Sequence, residues 1–152
     1  MKRFVTWLVV PAVLACWSLG ASAQEIEVRD AWIREAPPGA NAAAYLTLVN
    51  PGEISRRITA VKAEGVERIE MHRSVVEGGV ARMEPVESIE VPAGGEVTLA
   101  PRGLHLMLIR PSSLTEGDEL ELVLEIDGDE YVAAAAPVRK EEAASDSHHD
   151  HH

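Results

Sequence analysis

The chain has 152 residues, 46% of them apolar and 26% charged, with 25 Asp and Glu against 14 Lys and Arg. That size fits one globular domain. A net charge of -11 speaks against nucleic-acid binding and against docking on anionic lipid, both of which need clustered cations. Aromatics at 4% leave little for stacking bases or sugars.

Residues 1–23 read as a secretory signal peptide. Lys2 and Arg3 form a positive end, residues 4–19 are almost wholly apolar, and Ala21-Ser22-Ala23 sets small residues where a peptidase cuts. The apolar run is shorter than the ~20 residues a spanning helix needs, so cleavage before Gln24 is expected, with periplasmic export. The single cysteine, Cys16, lies inside this segment. A lipoprotein cut before Cys16 is the lesser alternative, because Leu14 fits poorly in Val13-Leu14-Ala15. Without the leader no thiol remains, which excludes both disulfide staples and a thiolate nucleophile or ligand. Twelve basic residues then face 25 acidic ones.

From Gln24 onward the dominant pattern is period-two alternation, the signature of half-buried strands. Strands are predicted over 26–33, 44–49, 57–63, 66–72, 80–83, 88–91, 96–99, 104–109, 120–126 and 131–133. Pro37-Pro38-Gly39, Asn50-Pro51-Gly52, Gly78-Gly79, Pro92-Ala93-Gly94-Gly95 and Pro101-Arg102-Gly103 punctuate them. Asp127-Gly128 predicts a two-residue hairpin turn. Many short strands with closely spaced turns indicate an all-β antiparallel sandwich or barrel, in a single domain spanning 24–140. The alternative is an α+β domain with a helix near 114–120, which Gly117 weakens. Residues 141–152 carry no strand pattern and read as a disordered, His-rich tail.

Three methionines and two histidines of the mature chain outside the tail all fall between Met71 and Met107. On strand 104–109, Leu104, Leu106 and Leu108 share one face, so His105 and Met107 project together from the other. His72 shares a face with Arg68 and Glu70, whereas Met71 goes with Ile69, which makes His72 the candidate ligand and Met71 a packing residue or outer-sphere neighbour. Met83 arrives across the Gly78-Gly79 hairpin on a face that depends on register. A lone Met on a strand is usually core filler and a lone His usually a surface residue; the weight lies in their concentration and in the shared face of His105-x-Met107. Thioether sulfur is neutral and polarizable and suits Cu(I), imidazole adds a stronger donor, and two of each need no thiolate. Lack of Cys excludes a blue-copper centre, and thioethers are poor zinc ligands.

His72, ten residues, Met83, 21 residues, then His105-Leu106-Met107 resembles the signature of the PCuAC family of periplasmic copper chaperones. The likeness extends to Asp30-Ala31-Trp32-Ile33-Arg34, to Ala44-Tyr45-Leu46 with Asn50-Pro51-Gly52, and to Gly103-Leu104-His105-Leu106-Met107-Leu108, over about 26–138. It implies a cupredoxin-like Greek-key β-sandwich or barrel that binds Cu(I) through His72, Met83, His105 and Met107. It further implies delivery to the CuA centre of cytochrome c oxidase, with the CuA-domain subunit and thioredoxin-like copper-insertion proteins as partners.

The tail ends His148-His149-Asp150-His151-His152. Asp150 interrupts the run and the lead-in is acidic, unlike a cloning tag, and a flexible imidazole cluster suits Cu(II) or zinc; a second, weaker Cu(II) site is expected there. Copper binding should weaken as pH falls below ~6.5, the free imidazole value. A copper buffer without a dedicated acceptor and a metal-free structural β-sandwich are the competing readings. An enzyme is disfavoured: no serine has an identifiable His-Asp partner, and the carboxylates alternate with apolar residues as a solvated surface would.

Overall fold

The fold comes from a computed structural model and is described over residues 25–140. The leader with Cys16 and the tail with His148, His149, His151 and His152 lie outside the described residues. Within them the regular elements are all strands: β1 (Glu27–Arg34), β2 (Ala42–Val49), β3 (Arg56–Lys62), β4 (Val66–Glu77), β5 (Val80–Pro85), β6 (Ile89–Val91), β7 (Glu96–Leu99), β8 (Leu104–Pro111), β9 (Glu119–Ile126) and β10 (Glu130–Arg139). Each predicted strand has its counterpart. The alternative helix near 114–120 does not form. Leu114 is buried in a single bridge to Ala36, Gly117 takes φ 96°, and Glu119 already opens β9.

Strand order runs β5-β4-β8-β2-β1-β10-β9-β3-β6, with β7 beside β2. Neighbours are antiparallel except β1 and β10, whose parallel pairing joins Ile33 to Val138 and Arg34 to Arg139. β2 shares one edge between two partners: Ala42–Ala44 pair with β8, and Leu46–Val49 with β7. The path curls so that β3 approaches β4 and β6 approaches β7. One core cluster therefore draws on both halves, with Ile33, Leu46, Leu106 and Leu108 meeting Ile58, Leu122, Leu124 and Ile126. Burying each such side chain contributes ~1.5–3 kcal/mol relative to exposure, the driving force in a chain with no disulfide. The arrangement is cupredoxin-like, as expected.

The β9–β10 connection departs from the expected two-residue turn. Ile126 pairs with Glu130, which leaves the three-residue loop 127–129. Asp127 is bonded to β3 from that loop: its amide donates to Arg57 O at 2.8 Å, and its carboxylate accepts from the Arg57 amide and from Arg56 Nε. The Gly78-Gly79 turn keeps two residues. Glu77 pairs with Val80, and both glycines have positive φ, 57° and 81°, the backbone a type I′ hairpin requires.

Candidate metal centre

The alternation on β8 separates the core from a second, outward surface. Leu106 and Leu108 are fully buried in the core cluster, and Met71 joins them from β4. Met71 therefore packs inward. His105 and Met107 leave β8 on the opposite face. Cross-strand pairing then determines what meets them. His72 lies directly opposite His105, Glu70 opposite Met107, and Ala43 of β2 opposite Met107 on its other side. Through the Gly78-Gly79 hairpin, Met83 pairs with Ser74, an even number of residues from His72, so Met83 emerges on the same face. The register that the sequence left open thus brings Met83 to the face of His72, His105 and Met107.

Burial grades across this face. His105 is 3% exposed, His72 and Met107 are half-buried, and Met83 is 59% exposed on the edge strand β5. The His72 and His105 rings meet edge-on with centroids 5.8 Å apart. An open cleft of about 470 Å³ is walled by Met83, His105 and Met107 together with Arg34, Tyr45 and Arg102 among others; His72 adjoins His105 across the strand pair without lining it.

Hydrogen bonds determine which nitrogen of each ring is free. His105 Nδ1 lies 3.1 Å from Gly103 O. A carbonyl only accepts, so Nδ1 carries the proton and Nε2 keeps its lone pair. His72 Nε2 lies 3.0 Å from Glu70 Oε2. The Arg68 guanidinium, and after it His72, hold the Glu70 carboxyl below the usual carboxylate range; it accepts, so the tautomer with its proton on Nε2 keeps its lone pair on Nδ1. Those two remaining atoms, His72 Nδ1 and His105 Nε2, are buried without a hydrogen-bond partner. Leaving a buried polar atom unpaired costs ~1–3 kcal/mol, so two on adjacent rings ask for an occupant. Two neutral imidazole nitrogens beside two thioethers fit a soft, singly charged ion. Among the described residues no group of three or more His, Cys, Asp or Glu side chains could hold a metal, so a site here depends on the methionines.

Sequence reading missed the rest of the cleft. Ala43 and Tyr45 are buried yet lie outside the core cluster; they face the site, where Tyr45 meets Trp32 with ring centroids 4.7 Å apart and planes tilted by 42°. The unbroken apolar run Ala42-Ala43-Ala44-Tyr45-Leu46 was the available signal, because a strand covered on both faces loses its alternation. Glu70, two residues from His72 on one strand, was legible as a neighbour but not as a partner.

The sequence model of the LpqE-like family, whose description reads "Putative lipoprotein LpqE-like", matches residues 26–138. The Leifsonia xyli subsp. xyli protein named "Putative lipoprotein Lxx21020" is 25% identical over 131 residues, covering 85% of this chain and 78% of its own. The copper-bound PCuAC domain from PmoF2 superposes with a TM-score of 0.64 at 22% identity, over 78% of this chain and 96% of that domain, a likeness of fold. The solution structure of CuI-DR1885 from Deinococcus radiodurans has a TM-score of 0.64 at 26% identity, over 84% of this chain and 87% of that one.

Proposed function

From a chain that belongs to the LpqE-like family, which is the PCuAC family, we propose a copper carrier that holds Cu(I) through His72, Met83, His105 and Met107. The observation that carries this reading is the pair of buried, partnerless nitrogens, His72 Nδ1 and His105 Nε2, on the face that also presents Met83 and Met107. The Cu(I) bound by DR1885 supports the choice of metal.

The graded burial suits a cargo that must leave. The imidazoles sit deep and are oriented by Gly103 and Glu70. Met83 stands on an exposed edge strand, where an incoming acceptor can displace it first. Neutral donors leave the bound ion its charge and impose no redox change on transfer. This is the chemistry of a carrier, not of a catalyst.

The finer reading places the mature protein in the periplasm, exported by residues 1–23, with lipidation at Cys16 the alternative that the relative's lipoprotein name favours. The acceptor proposed is the CuA-domain subunit of cytochrome c oxidase, served together with thioredoxin-like copper-insertion proteins. His148, His149, His151 and His152 are proposed to take Cu(II) at the tail.

The deciding experiment is anaerobic Cu(I) titration of the mature chain against a chromogenic chelator, beside Met83→Leu/Met107→Leu. One tight equivalent, lost in the variant, is expected; uptake indifferent to both methionines would overturn the thioether site. Cu(II) titration of a chain ending at Lys140 tests the tail, and transfer to an isolated CuA domain separates delivery from buffering.

A further inference from the structure

His72 is the site's only imidazole held by a side chain rather than by backbone, and that side chain is itself clamped. We propose that Glu70 is a positioning residue: it fixes the His72 ring so that Nδ1 faces the metal, and Arg68, Glu67 and Arg110 hold Glu70 in that pose. The proposal deepens the copper reading and rests on it.

The geometry forms one continuous chain of contacts. Glu70 and His72 are two apart on β4 and project from the same face. Glu70 Oε2 accepts from His72 Nε2 at 3.0 Å, while Oε1 accepts from Arg68 Nε at 2.7 Å. Arg68 Nη1 reaches Glu67 Oε1 at 2.8 Å, and Glu67 Oε2 accepts from Arg110 Nη1 at 2.9 Å. Arg110 belongs to β8, the strand that carries His105 and Met107. The chain therefore ties the orientation of one ligand to the strand that supplies two others.

Stability does not account for this network. Its members are between 36% and 77% exposed, and ion pairs that open to water contribute little. Its effect falls on His72 instead. A ligand imidazole needs a partner on its second nitrogen to fix tautomer and ring angle, and removing such a partner typically lowers metal affinity 10- to 100-fold. Without Glu70, His72 Nε2 has no acceptor, the proton is free to move to Nδ1, and the ring is free to turn.

The test uses the full mature chain with Glu70→Ala, Glu70→Gln and Arg68→Ala. In the metal-free protein, imidazole ¹⁵N–¹H spectra should show a slowly exchanging Nε2 proton on His72. Glu70→Ala should lose that protection and leave the His105 signals in place. Cu(I) affinity by chelator competition should fall about 10- to 100-fold in Glu70→Ala. Glu70→Gln keeps an acceptor oxygen and should recover part of the loss; Arg68→Ala, which leaves the carboxylate unclamped, should lie between wild type and Glu70→Ala. A His72 proton equally protected in Glu70→Ala, or Cu(I) affinity within twofold of wild type, overturns the proposal. A wild-type chain that takes up no Cu(I) overturns the copper reading instead, and the two failures are thus distinct.

Discussion

Arg56 supplies a test of which partner controls a mixed buried and exposed ion pair. Its side chain is 5% exposed, whereas its two partners, Asp127 and Glu130, are 40% and 50% exposed. Glu130 first, then Asp127, hold its pKa above the ordinary arginine value, so it stays charged at any accessible pH. Replacing Arg56 by Met keeps the aliphatic stem and returns two half-exposed carboxylates to water. Two charge-assisted bonds would be worth more inside the protein, but solvent takes over much of their role, and the loss should be about 1–2 kcal/mol. The reverse perturbation, Asp127→Asn with Glu130→Gln, keeps shape, hydrogen-bond acceptors and the positive φ of 53° at position 127. It strands a buried cation among neutral groups, at about 2–4 kcal/mol. The order predicted is thus unequal, although the same two ion pairs are lost. Adding Arg56→Met to the double variant should restore about 1 kcal/mol or more, since the uncompensated charge is gone. Urea unfolding of all four proteins measures this. A triple variant less stable than the double would refute the assignment of the cost to the buried guanidinium.

Further outcomes follow from single contacts. Met71→Ala should cost about 2–5 kcal/mol through the cavity left in the core, whereas Met71→Leu should cost under about 1.5 kcal/mol and leave Cu(I) affinity unchanged in chelator competition, because Met71 faces inward. Asp118 accepts from the Thr115 amide at 2.9 Å and its hydroxyl at 3.0 Å, the backbone bond first in lowering its pKa. A depressed carboxylate adds stability above its unfolded pKa and loses it as pH falls through the folded one, so Asp118→Asn should flatten the acid limb of urea midpoints between about pH 2 and 5. Gly65 has φ 74°, and a Cβ there would lie 3.0 Å from Ser112 Oγ; Gly65→Ala should lower stability by about 1–3 kcal/mol in the same assay. Asn50 is fully buried, donates to Ile54 O and Val91 O, and accepts from the Gly52 amide, so Asn50→Ala should cost about 2–4 kcal/mol with Cu(I) uptake intact.

How far the sequence reached depends on whether a relation runs along a strand or across strands. Alternation on β8 separated Leu106 and Leu108 from His105 and Met107 without any structure, because the side-chain period is fixed by the backbone. The Gly78-Gly79 pair marked the hairpin that returns Met83, but its face stayed open until the pairing of Glu77 with Val80 fixed the register. Cross-strand relations were hidden. Tyr45 reaches the cleft because β2 lies beside both β1 and β8, and Arg56 finds Asp127 some 71 positions away; neither distance leaves a periodic trace. The loop 127–129 was misjudged for the same reason. Asp127-Gly128 has the local composition of a tight turn, but bonds from Arg56 and Arg57 hold Asp127 against β3.

The same two strands build the core and the proposed copper site, and this has a consequence for how the two can vary. β4 sends Met71 inward and His72 outward, and β8 sends Leu106 and Leu108 inward and His105 and Met107 outward. Substitutions on the outward face leave the apolar core untouched, so ligands can change without unfolding the domain. Register cannot change in that way. A slip of β4 by one residue would turn His72 into the core and Met71 to the cleft, and a slip of β8 would do the same to His105 and Met107 against Leu106 and Leu108, losing fold and site together. The inward leucines thus do more than stabilise the domain. By making the wrong register costly, they keep His72 opposite His105, the one pairing that brings two partnerless imidazole nitrogens together.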